Sequence, residues 1–143
     1  MNAIFTRPSI SQDAATAVVH AAIDAATGLG APKVAVAVLD ESGLLKAFSR
    51  MDGAPLVAIE VAQNKAYTAL YGLPSGTLFD AIRTDPALLA SMPHVRRFTL
   101  IGGGLPIAVD GTVVGAVGVS GGTVDQDVEC ARAALRALSP VAG

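Results

Sequence analysis

Between Asp13 and Thr27 apolar side chains recur at Ala15, Val18, Val19, Ala22 and Ala26, the three-and-four spacing of one buried helix face. Ser11 is placed to cap this helix, and Gly28 and Gly30 end it. The period then shortens. Val34–Leu39 and Leu44–Ser49 are short β-rich runs joined by Asp40-Glu41-Ser42-Gly43, which predicts a hairpin. From Leu56 to Tyr71 helix formers run without Gly or Pro until Gly72 and Pro74. This second helix carries two apolar stripes, Ala58, Val61, Ala62 and Ala69 on one side and Leu56, Ile59, Ala66 and Leu70 on another. It therefore predicts burial on two sides, against a sheet and against a second subunit.

Ser75–Pro93 is broken by prolines and predicts short helical turns. Phe98–Ile101 is strand-like and enters Gly102-Gly103-Gly104. Pro106–Val109 and Thr112–Ser120 then flank Asp110-Gly111, the strongest short-range hairpin signal in the chain. Thr123 with Gln126 forms a capping box before a last helix striped by Val124, Val128, Ala131, Leu135 and Leu138. Hairpins rather than crossover units predict an α+β fold, with a mainly antiparallel sheet of about five strands covered by helices in two or three layers.

At 143 residues the chain is one domain, residues 1–143. Its residues are 52% apolar and 15% charged, more apolar surface than one small core absorbs, so a homo-oligomer is expected. Ten basic residues against twelve acidic ones, scattered except for Arg96-Arg97, leave no footprint for nucleic acid. Aromatics are 4% and Trp is absent, so stacking platforms for bases are missing too. One cysteine, Cys130, excludes an internal disulfide, and two histidines cannot make a structural zinc set, so no metal site is expected. Neither an export signal nor a membrane-length apolar run is visible, and a cytoplasmic location is expected.

Few residues carry candidate chemistry. His20 shares a helix face with Asp13, Thr16, Asp24 and Thr27, which predicts a solvated histidine. His94 follows Pro93 in the irregular segment, where a loop can present it to a cleft as an acid or base. Lys65 rises from a stripe of small residues and needs an anion, either a carboxylate of the protein or one of a ligand. Arg50 and Asp52, beside Gly53, suit a salt-bridged corner or an anion site. Gly103 and Gly104, and Ser120 and Gly121 before the last helix, can offer backbone N–H groups to a carboxylate but lack nucleotide-loop spacing. Cys130, with no His or Lys beside it, predicts a buried inert thiol.

Taken in order, Ala37-Val38-Leu39-Asp40 with Gly43-Leu44-Leu45, Arg50-Met51-Asp52-Gly53-Ala54, Lys65-Ala66-Tyr67-Thr68-Ala69, Gly103-Gly104-Leu105-Pro106-Ile107 and Asp110 through Gly121 resemble the successive blocks of the GlcG/HbpS family of haem-degrading-domain proteins. The resemblance runs from about Ser9 to Leu138 and includes the C-terminal part of PduO-type cobalamin proteins. It implies a profilin-like fold, a five-stranded antiparallel sheet with helices on both sides, and association into dimers or higher oligomers. It also implies a small-molecule ligand, haem or a related tetrapyrrole. Where relatives usually carry Pro-Gly, this chain has Pro93-His94, which puts a titratable group beside the expected pocket.

Two other functions are compatible with these residues. One is a lyase or tautomerase on a carboxylated catabolic intermediate, with His94 moving the proton and Arg50 or Lys65 holding the carboxylate. The other is an oligomeric accessory subunit without a ligand.

Overall fold

A computed structural model describes residues 1–30 and 32–138. Helix α1 (Gln12–Gly28) begins at Ser11, whose hydroxyl accepts the Ala14 N–H, and buries the stripe Ala15, Val18, Val19, Ala22 and Ala26. Strands β1 (Ala35–Asp40) and β2 (Leu45–Arg50) pair antiparallel from Ala35↔Arg50 to Leu39↔Leu45. Their turn is held by the Asp40 carboxylate, which accepts the N–H groups of Ser42 at 2.9 Å and Leu44 at 3.0 Å. Helix α2 (Ala58–Ala69) follows, then two short helices, α3 (Thr77–Ile82) and α4 (Pro86–Ser91), and a single 3-10 turn at Met92–His94.

Strands β3 (Gly104–Val109) and β4 (Thr112–Ser120) form the second hairpin. Asp110 (φ 49°) and Gly111 (φ 78°) both take left-handed backbone, the primed turn that matches strand twist. Thr123 and Gln126 make the reciprocal capping box that opens α5 (Val124–Arg136). The sheet order is β2-β1-β4-β3 with every neighbouring pair antiparallel.

The sheet has four strands, not five. Phe98–Ile101, read from its pattern as a strand, joins no ladder because its backbone groups are used elsewhere. The Phe98 N–H bonds to Val95, the Thr99 N–H to the Thr68 hydroxyl at 2.9 Å, and the Ile101 carbonyl accepts the Ser75 hydroxyl at 2.7 Å. With these groups engaged, a short run of three apolar residues and Thr99 becomes an anchored loop.

Helices cover both faces, as a three-layer α+β architecture. Val34, Val36, Val38, Val117 and Val119 pack with α1 and with Cys130, Ala131 and Ala134 of α5. On the other face small residues dominate: Ala35 and Ala37 meet Ala58 and Ala62, while Leu39 and Ala116 meet Ala66 and Ala69. A Cβ on Gly118 would run into the Ala62 carbonyl, so the missing side chain sets how closely α2 lies on the sheet. Strand β1 is therefore buried on both faces, which explains its unbroken apolar sequence.

Candidate functional site

The bend that leads into β3 is clamped from three elements. Ser75, buried between α2 and α3, donates its hydroxyl to the Ile101 carbonyl and accepts the Gly104 N–H at 2.9 Å, while its own N–H bonds to the Gly104 carbonyl. Lys65 lies beneath. It is 1% exposed, and its ammonium donates to the Asp127 carboxylate of α5 at 2.8 Å and to the Val119 carbonyl at 2.9 Å. The other oxygen of Asp127 accepts the Gly122 N–H at 2.9 Å, so this carboxylate ties α2, the end of β4 and the start of α5 together. A side chain at Gly103 would meet the Lys65 ammonium and one at Gly104 its carbonyl, which accounts for both glycines by packing alone.

A groove of about 630 Å³ opens on the outer side of the same bend, walled by Phe79 of α3, Leu100–Leu105, and Val124, Val128 and Arg132 of α5. The apolar stripe expected on the last helix thus divides: Ala131 enters the core, whereas Val124 is exposed and Val128 half-buried along this groove.

A second groove, about 440 Å³, lies at the opposite end of the sheet. Tyr67, Leu70 and Tyr71 from the end of α2, Glu41 and Ser42 from the β1–β2 turn, and Met92, Val95 and Phe98 from the irregular segment line it. Arg97 adopts left-handed backbone, φ 67°, which is strained for a side chain of this size. Its guanidinium sits 4.2 Å from the centre of the Tyr67 ring and donates to the Gly43 carbonyl at 2.8 Å, so a cation is pinned at the rim. Arg7 reaches the same turn, donating to the Glu41 carbonyl at 2.8 Å and approaching its carboxylate at 3.6 Å. The Ser9 hydroxyl chiefly, then the Ser42 hydroxyl, a backbone N–H and the positive charge of Arg7, hold the Glu41 carboxyl below its ordinary range, against the opposing effect of burial.

The residues singled out in the sequence fall into two places. Arg50, Ala35 and Ser120 form one row across β2, β1 and β4, with Asp52 in the exposed turn beyond and Gly121 (φ 133°) packed on the Lys33 carbonyl. Lys65, Gly103 and Gly104 belong to this same end. His94, exposed in the 3-10 turn Met92–His94, lies instead between Met92 and Val95, which line the groove at the other end. None of the grooves described is lined by His94 together with Arg50 or Lys65. Cys130 is buried, and burial chiefly, with Asp127 and Glu129 nearby, pushes its thiol up. Ser75, Tyr71, Arg97 and Arg132 had no signal in the pattern, because each acts through partners distant in sequence or through a cavity.

Residues 10–136 match the family described as haem degrading protein HbpS-like. The chain belongs to this family. Among relatives of this HbpS-like protein, an uncharacterized 15.0 kDa protein of the dhaT-dhaS intergenic region of Citrobacter freundii is 40% identical over 109 residues, 74% of this chain and 76% of the relative. The corrinoid adenosyltransferase PduO of Salmonella typhimurium is 34% identical over 123 residues, covering 84% of this chain but 36% of PduO. The structure of Klebsiella pneumoniae ORFY superposes with a TM-score of 0.90 at 31% identity, over 99% of this chain and 98% of that one. A complex of PduOC with heme superposes with a TM-score of 0.84 at 31% identity, over 92% and 96%. No helix among the described residues is long and apolar enough to cross a membrane. Among those residues no group of three or more His, Cys, Asp and Glu could hold a metal ion.

Proposed function

We propose that this protein is a haem-binding member of the HbpS-like family and that the tetrapyrrole lies in the groove between the end of α2 and residues 92–98. The observation that carries the reading is the donor set. Haem iron needs an axial His, Met, Tyr or Cys beside an apolar slot, and its propionates need cations. Tyr71 and Met92 line this groove, His94 adjoins it, Leu70, Val95 and Phe98 supply apolar walls, and Arg97 supplies a fixed guanidinium. The larger groove beside the glycine bend is lined by none of those four ligand types. Tyr71, Met92 or His94 would hold the iron and Arg97 a propionate, and the haem would supply redox and ligand-binding chemistry there. The chain's own part is to order the slot: Tyr67 and the Gly43 carbonyl hold Arg97, and the Asp40 turn holds Gly43.

Titration with hemin, followed by absorbance, should give a saturable shift of the Soret band. Tyr71→Phe, Met92→Leu and His94→Ala made singly identify the axial ligand by which of them moves the bound spectrum, and Arg97→Met should weaken binding about tenfold, the worth of one charge-assisted contact. A hemin spectrum unaltered by the protein defeats the proposal.

Assembly with further copies belongs to the same reading. Helix α2 covers β1, β4 and β3 but leaves β2 bare, so Leu45 and Phe48, which oppose Leu39 and Ala37, stay exposed on the α2 face. Leu56, 85% exposed, and Val57 add exposed apolar surface just before α2, and together these residues support a homo-oligomer.

A further inference from the structure

We propose that the groove between α3, the glycine bend and the first turns of α5 is a second ligand site, for an organic monocarboxylate with an apolar body. It stands independently of the haem reading.

Val124, Val128 and Arg132 are spaced by four along α5 and so form one stripe, two apolar residues ending in a cation. All three line the groove, opposite Phe79, Leu100 and Ile101. Its floor exists because the bend lacks side chains: a Cβ on Gly102 would stand 3.0 Å from Val124 and 3.2 Å from Val128. The volume, about 630 Å³, is that of a small-molecule pocket.

Charge decides the ligand class. Arg132 is the one charged residue in the lining, and no carboxylate lines it. Glu129 binds Arg136 at 3.0 Å and stands only 3.9 Å from Arg132, so the Arg132 guanidinium is held loosely and keeps donors for a ligand. The remaining polar side chain, Thr77, already donates its hydroxyl to the Pro74 carbonyl at 2.8 Å and is left as an acceptor. A cationic ligand finds no counter-charge here, and a phosphate, with its stronger hydration, finds one cation where it needs several donors. A carboxylate meets the guanidinium fork, and its hydrocarbon replaces water on the valine, leucine, isoleucine and phenylalanine walls.

The test is calorimetric titration of the full chain with octanoate, 1-octanol and octylamine. Octanoate should bind saturably with Kd of about 1 mM or tighter. Arg132→Gln should weaken octanoate about tenfold and leave 1-octanol unchanged, as removal of one charge-assisted contact predicts. Val124→Trp, at an exposed position, should fill the groove and abolish octanoate binding while the melting temperature and any hemin titration stay as in the parent. Absence of saturable octanoate binding overturns the proposal, as does octylamine binding as tightly as octanoate. Displacement of hemin by octanoate overturns it too, since both would then share one groove. Failure of hemin to bind leaves the octanoate result fully readable.

Discussion

Lys65 shows why an ionisable residue in an apolar stripe needs its surroundings before it can be interpreted. Its ammonium is used within the chain, between Asp127 and Val119, and Asp127 is as buried as Lys65. Removing one partner strands a charge, so Asp127→Ala should lower unfolding free energy by about 3–5 kcal/mol in urea, and Lys65→Met/Asp127→Leu should recover most of it. A double variant no more stable than Asp127→Ala contradicts a mainly electrostatic account. Glu41 gives a pH dependence of definite sign. Its carboxyl is held low chiefly by Ser9, so it stabilises the folded chain above the ordinary carboxylate range, and this contribution is lost as pH falls through the lowered folded value. Melting curves taken between about pH 6 and pH 3 should show the loss, and Glu41→Gln should flatten that part of the profile.

Helix α2 is the element on which both grooves depend, since Lys65 in its middle packs beneath Gly103 and Gly104 and binds Asp127 of α5, and its end supplies Tyr67 and Tyr71. Its close seat on the sheet comes from Ala35, Ala37, Ala116 and Gly118 beneath it. Gly118→Ala should therefore cost about 3 kcal/mol or more in denaturant unfolding, because the added methyl meets the Ala62 backbone rather than a movable side chain. Gly111→Ala makes the useful contrast: open space surrounds that position, so its cost should come from the left-handed φ of 78° alone, about 1 kcal/mol. Equal losses for the two variants would show that packing under α2 is not the constraint.

Across the whole molecule the three layers leave one side of β2 without a helix, where Leu45 and Phe48 face solvent, and Leu56 and Val57 are exposed just before α2. Light scattering should accordingly give a mass at least twice the 14.3 kDa of one chain, and Phe48→Lys or Leu56→Glu should reduce it by placing a charge in this apolar surface. A monodisperse species of chain mass at micromolar concentration argues against assembly through this face. The two grooves stand at opposite ends of the sheet, so ligands in them need not compete.

Features with local causes were legible in the chain itself. The Asp110-Gly111 turn, the Thr123–Gln126 capping box and the α1 stripe depend on backbone preference and spacing within a few residues, and all three are present in the structure. The family could be recognised for the same reason, since its blocks are contiguous runs. Tertiary structure alone decided the rest, because the deciding partners are far apart in sequence. Lys65 meets Asp127 62 positions away, and Ser75 takes the backbone of Ile101 and Gly104. Thr68 captures the Thr99 N–H that a fifth strand would have used. Periodicity shows that a face is apolar, but not whether it meets a core or a cavity. Val124 and Val128 fit the helix pattern of a buried stripe, and the bare glycine bend opposite them leaves a groove there instead.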